Sequence, residues 1–171
     1  MTSTSQGNHI VGSLRRLDNG KGAVRMEDLY DTDIADLWSA LTDPQRLARW
    51  VAVVEGDVRL GGNVHVRFTS GWDGPGQIAI CQAPHHLAIT MAPGTPDETV
   101  IEAILTVEQD KTRLVIEERG IPVDALYAHG AGWQAHVEDL TAHISGGEAG
   151  DWSARLTALT PAYRELAGDL A

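Results

Sequence analysis

His129, His136 and His143 recur every seventh residue through a stretch of helical periodicity. At 100° and 1.5 Å per residue they share one edge of a helix and stand about 10 Å apart, too far to hold one metal ion together. His136 and Asp139 are i, i+3 neighbours, a spacing at which a carboxylate can orient an imidazole as a general base. The plainer reading is a helix edge half wetted by solvent. In the following of Leu114 and Ile116 by Glu118, alternation puts all three on one strand face, so a cavity lined by the first two also receives Glu118 near its end. Burial would disfavour its charge and suit it to act as an acid or a ligand anchor, against the plainer reading of a strand-end carboxylate in water. Tyr127 completes the groups able to move a proton. His85-His86 carries less, because adjacent strand residues point to opposite faces.

The second set is apolar. Trp38, Trp50, Phe68, Trp72, Met91 and Trp133 supply rings and a thioether suited to a ligand pocket, or to an ordinary core. Five tryptophans against one phenylalanine and three tyrosines favour a surface that is apolar yet offers N–H groups, since a buried indole must find a partner for its own. Trp72, in a Gly71-Trp-Asp-Gly-Pro-Gly loop, is placed to cover a pocket mouth. No Gly-x-Ser-x-Gly elbow, phosphate loop or dinucleotide fingerprint is present, and no His/Cys/Asp cluster has zinc-like spacing. The expectation is no metal and no cofactor.

The elements that must position these residues follow from periodicity. Leu126, Gly130, Trp133, Val137, Leu140 and Ile144 form one face of a long helix over Ile121–Ser145, with Pro122 in its first turn and Gly146-Gly147 as its stop. Such a helix needs a sheet to lie on. From Val51 to Gly120 the period is two, with Val64, Val66 and Phe68 alternating against His65, Arg67 and Thr69, and Leu87, Ile89 and Met91 against Ala88 and Thr90. Turns at Gly61-Gly62, Gly71–Gly76, Ala83–His85, Pro93–Asp97 and Asp110-Lys111 are too short for parallel crossovers, so a meander of about six antiparallel strands is expected. Before it come a strand over Ala23–Tyr30, a helix Ile34–Leu41 capped by Thr32 or Asp33, and a second short helix from Asp43-Pro44 to Trp50. Residues 1–21 read as a flexible arm, 22–147 as the domain, and 148–171 as a helical extension broken at Thr160-Pro161 and packed on the outside.

Composition bounds the function. The chain has 171 residues, enough for one domain with its own core, and a single cysteine, Cys81, which allows no internal disulfide and suits a cytoplasmic setting. With 13 Lys and Arg against 24 Asp and Glu, the net charge of -11 opposes nucleic-acid binding. No apolar run reaches membrane-spanning length, so no membrane insertion is expected. A homodimer is left open.

Five segments, Asp33–Trp50 (DIADLWSALTDPQRLARW), Gly56–Gly62 (GDVRLGG), Gly76–Met91 (GQIAICQAPHHLAITM), Leu105–Gly120 (LTVEQDKTRLVIEERG) and Gly132–Ile144 (GWQAHVEDLTAHI), occur in the order seen in proteins related to the activator of heat-shock-protein-90 ATPase, which the chain resembles over about residues 22–146. That family belongs to the START-like, SRPBCC superfamily. The resemblance implies an α+β helix-grip fold, as in the birch-pollen allergen: a curved antiparallel sheet around a long C-terminal helix, with two short helices after the first strand. It also implies a cavity between sheet and helix. The expected function is binding or sequestration of an apolar, polycyclic or lipid-like small molecule by Trp50, Phe68, Trp72, Met91, Trp133 and Val137. The alternatives are a polyketide cyclase or aromatase using His136, Glu118 or Tyr127, self-protection in a polyketide pathway, and a co-chaperone-like interaction protein.

Overall fold

The computed structural model describes residues 9–170. Eight strands form one antiparallel sheet: β1 (Gly12–Arg16), β2 (Gly22–Tyr30), β3 (Ala52–Gly56), β4 (Asn63–Phe68), β5 (Asp73–Gln82), β6 (His86–Met91), β7 (Thr99–Glu108) and β8 (Lys111–Ile121). Their order is β1-β2-β8-β7-β6-β5-β4-β3. After β2 the chain must therefore reach the far edge of the sheet before it can meander back. Two short helices carry it there. Asp33 caps α1 (Ile34–Thr42) by accepting the Asp36 N–H at 2.8 Å, and Asp43 caps α2 (Pro44–Leu47) by accepting the Gln45 N–H at 2.9 Å. Pro44 sits in the first turn of α2, where its missing N–H costs nothing.

Alternation along the meander gives the sheet one apolar face. In β8, Thr112, Leu114, Ile116 and Glu118 are all buried, and α3 (Leu126–Ile144) lies over that face. The helix starts at Leu126 rather than Ile121 because β8 runs on through Ile121 and a 3₁₀ turn, Val123–Ala125, follows Pro122. This is the helix-grip α+β architecture expected from the sequence.

Three features depart from the sequence reading. Part of the expected arm is β1, paired with β2 from Gly12↔Met26 to Arg16↔Gly22; residues 1–8 of that arm lie outside the described residues. Its sequence, GSLRR, has one large apolar side chain and no amphipathic signal, so the partner strand defines it. The glycine-rich stretch after Gly71 is mostly strand, since β5 begins at Asp73. The tail is one helix, α4 (Trp152–Gly168), with Pro161 inside it. Proline removes a single helical hydrogen bond there, while Leu159 and Tyr163, both fully buried, anchor the chain on either side.

Helix α4 explains why α3 is buried almost all round, from Gly130 through Val137. One face of α3, with Trp133, Val137 and Leu140, meets the sheet. The other, built of small or polar residues, accepts α4: Trp152 Nε1 donates to the Gly132 carbonyl at 3.3 Å, Arg155 Nε to Glu138 at 2.8 Å, and the Tyr163 hydroxyl to Gln134 Oε1 at 2.6 Å. Gln134 also binds the segment before β1, donating to the His9 carbonyl at 2.7 Å and accepting the Val11 N–H at 3.2 Å. Close approach is strictest at Gly130, where an added Cβ would stand 2.4 Å from Tyr163 Cδ1 and 3.1 Å from Leu14. Gly130→Ala is therefore expected to destabilise by about 1–3 kcal/mol despite alanine's better helix propensity. Urea denaturation checks this, and a gain in stability would show that Tyr163 yields freely.

Candidate functional site

Between α3, α1–α2 and the sheet lies an apolar cavity of about 120 Å³. The helical side contributes Leu41, Thr42 and Leu47, with Trp50 and Val51 just beyond α2; Trp133 comes from α3, and the sheet supplies aliphatic side chains from β3 to β8. Thr42 is the one lining residue that carries a hydroxyl, and it is spent within α1, donating to the Trp38 carbonyl at 2.8 Å. Trp50 is likewise turned inward with its polar edge satisfied, Nε1 donating to the Ala40 carbonyl at 2.9 Å.

Of the six residues expected at a ligand, Trp50, Phe68, Met91 and Trp133 line the cavity. Val137 does not; it is buried on the same helix face beside Met26 and Tyr30. Trp72 is not among the lining residues either. Its six-membered ring lies back over Gly74, where an added Cβ would come within 2.7 Å of it, and it meets Phe68 edge-on at 5.9 Å. A side chain at Gly74 would push it off. The aliphatic liners Leu87 and Ile89 follow the same alternation as Met91, so period two already carried them; Leu41 and Leu47 carried no signal beyond helix amphipathicity.

Glu118 faces α3 at the side of Trp133. Its Oε1 accepts from Trp133 Nε1 at 2.9 Å and lies 2.9 Å from His129 Nδ1, and its Oε2 accepts from the Thr99 hydroxyl at 2.9 Å. Burial works to raise its pKa, as the sequence suggested, but the hydrogen bonds and charge supplied by His129, with those from Trp133 and Thr99, outweigh it and hold the carboxyl below its ordinary value. The expected proton donor is thus a fixed carboxylate that holds the Trp133 indole against the cavity.

His136 is 4% exposed. Its ring stacks on Trp152 at 5.1 Å and 28°, and lies 5.6 Å from the Trp133 ring and 6.1 Å from that of Phe68. The expected pairing with Asp139 is absent: Asp139 accepts instead from the Gly150 N–H at 3.0 Å, where the chain turns toward α4. Burial pushes His136 down to about 4, against the smaller opposing effects of the Trp50 backbone and Glu118. Its Nδ1 has no hydrogen-bond partner. Tyr127 lies away from the cavity lining, its ring under the Arg164 guanidinium at 4.1 Å. The other two helix histidines have structural partners: His129 meets Glu118, and His143 accepts from Arg46 Nε at 3.0 Å. Among the described residues no group of three or more His, Cys, Asp or Glu is placed to hold a metal ion, and no helix is long and apolar enough to cross a membrane.

The crystal structure of CalU16 from Micromonospora echinospora is similar, with 26% identity, 92% of this chain and 96% of that one covered, and a TM-score of 0.74. DynU16, a protein in the dynemicin biosynthetic locus, is 22% identical over 74% of this chain and 48% of its own, with a TM-score of 0.67. An Hsp90 activator from Plasmodium falciparum is 19% identical over 72% of this chain and 96% of its own, at 0.61. These last two likenesses concern the fold alone. No curated protein sequence matches. The model of the family described as Activator of Hsp90 ATPase homolog 1-like protein matches residues 31–145, from the start of α1 through the end of α3, and the chain accordingly belongs to that family, within the START-like, SRPBCC superfamily.

Proposed function

We propose that this protein binds an apolar, ring-containing small molecule in the cavity between sheet and helix. The observation that carries the reading is the cavity wall: aliphatic and aromatic side chains throughout, with the hydroxyl of Thr42 and the indole N–H groups of Trp50 and Trp133 already bonded within the protein. An apolar wall of this kind gains from any apolar guest that fills it. At about 120 Å³ the space suits a single ring, since an apolar cavity of about 150 Å³ accepts benzene. A polycyclic or lipid-like ligand requires the wall to open.

A proton-moving role for this site has less support. Glu118 has both oxygens committed, Tyr127 is elsewhere, and His136 alone keeps an unengaged nitrogen. A co-chaperone role rests on the family description alone.

The test is a thermal-shift series with single-ring aromatics, polycyclic aromatics, sterols and fatty acids, followed by tryptophan emission. A ligand present at one hundred times its Kd should stabilise the fold by about 2.7 kcal/mol. Hits should also shift emission, because Trp50 and Trp133 form the wall. If neither melting temperature nor emission moves for any class, the cavity is ordinary core packing and the binding reading fails.

A further inference from the structure

Arg46 joins three helices. Its Nη1 donates to the backbone carbonyl and the carboxylate of Asp36 in α1, at 3.0 and 2.9 Å, and Asp36 also accepts from the Thr32 hydroxyl at 2.6 Å. Its Nε donates to His143 Nε2 in α3 at 3.0 Å. The first contacts tie α2 to α1; the last is, among the described residues, the side-chain hydrogen bond that fastens this pair of helices to α3. Leu41, Thr42 and Leu47, the helical side of the cavity, sit on the piece so fastened.

The two fastenings respond differently to protons. A guanidinium only donates, and it stays charged. His143 can accept from it only through a lone pair on Nε2, which is to say as the neutral imidazole with its proton on Nδ1. A proton added at Nε2 sets donor against donor and brings two positive charges to hydrogen-bond distance. The Asp36 carboxyl, held below its usual range by Thr32 and Arg46, keeps its grip on Arg46 under the same conditions. Burial, Arg46 and Arg49 all disfavour a charged His143, against the opposing pull of Asp36, so the hydrogen bond to α3 is intact at neutral pH and is lost below the usual imidazole range. Asp139, one turn back on α3, is turned to the Gly150 N–H. Resting on the binding reading above, we propose that the Arg46–His143 hydrogen bond is a proton-operated latch on the cavity, closed while His143 is neutral and released when it is protonated, so that α1–α2 lifts from α3 and a guest exchanges faster in mild acid. The switch lies outside the lining, and the apolar wall keeps its chemistry in both states.

The probe is toluene, whose release is measured by NMR exchange at about pH 7.5 and about pH 5.5, on either side of an ordinary imidazole. Relaxation dispersion of the Leu41 and Leu47 methyls in the ligand-free protein reports the lifting of the wall directly, with Leu140 on α3 as the control. Release is expected to be about tenfold faster at the lower pH, the worth of one hydrogen bond to a charged partner at its lower end. Exchange should grow at Leu41 and Leu47 and not at Leu140. Both changes should share their midpoint with the His143 ring, followed by its own resonances. His143→Gln, whose amide oxygen accepts from Arg46 at any pH, should release toluene slowly under both conditions. If toluene binds but release and methyl exchange do not change with pH, or follow another group, or persist in His143→Gln, the latch is overturned while the binding reading stands. If the variant does not fold, the shared midpoint in the wild type decides alone. If toluene does not bind, the binding reading falls and the latch falls with it.

Discussion

Replacing Trp133 by alanine is expected to cost the folded state about 3–5 kcal/mol, the range for removing a large aromatic side chain from a packed core. Two losses combine. The indole is 7% exposed and contacts the cavity, Phe68 and His136, so its removal leaves a void flanked by groups that strands and helix hold in place. Glu118 also loses the donor at 2.9 Å and retains its charge at a buried position, an additional penalty. Urea denaturation at neutral pH measures this as a lower midpoint at unchanged slope. Trp72→Ala is the control, since Trp72 is 38% exposed and should cost much less. A Trp133→Ala loss below about 1 kcal/mol would mean that the helix is not gripped through this residue.

Acidification should weaken the fold before its carboxylates titrate, through His136. The unfolded imidazole takes up a proton near pH 6.5, whereas burial holds the folded one down to about 4. Below the unfolded value, then, the unfolded state binds more protons, and stability that is complete above it falls as the pH approaches the folded value. That gap corresponds to roughly 3 kcal/mol. His143, also held down, by burial and by Arg46, adds a smaller slope of the same sign. Asp139, pushed up by burial, opposes it: its contribution is present below its unfolded pKa and is lost as pH rises through the folded one. Glu118, held below its usual range, contributes above its unfolded pKa and loses that contribution only in stronger acid. Unfolding free energies at about pH 7 and pH 4.5 should differ by roughly 2–3 kcal/mol in the wild type, and His136→Phe should remove most of the difference. An unchanged slope in that variant would assign the effect elsewhere.

Much of this was legible in the chain. The meander and its helix are written in two periods, alternation in residues such as Leu87, Ile89 and Met91 and the i, i+3/i+4 stripe of α3, and the caps Asp33 and Asp43 carry their own local chemistry. β1 was not legible, because GSLRR becomes a strand only through β2. The second buried face of α3 was hidden for a related reason: Gly130, Ala131, Gly132 and Ala135 are small, and small residues announce close approach only when the partner is known. His136 shows the same limit at the site. Its place at the border of the apolar stripe reads as a wet edge, and only the docking of Trp152 makes it dry.

The sandwiching of α3 makes the two walls of the cavity unequally tied. On its outer side the helix is riveted by Tyr163, Gln134, Trp152 and Arg155 to α4 and to the chain around β1, so lifting it to admit a larger guest would dismantle both terminal segments at once. The opposite wall is a short crossover, with Leu41, Thr42 and Leu47 on two brief helices and Trp50 just beyond them, and among the described residues the side-chain hydrogen bond from these helices to α3 is that of Arg46 to His143. If the proposed binding holds, strain from an oversized ligand is expected to relax through α1–α2, with α3 as the fixed jaw, so that the yield of that crossover sets the reach of the pocket toward bulkier molecules.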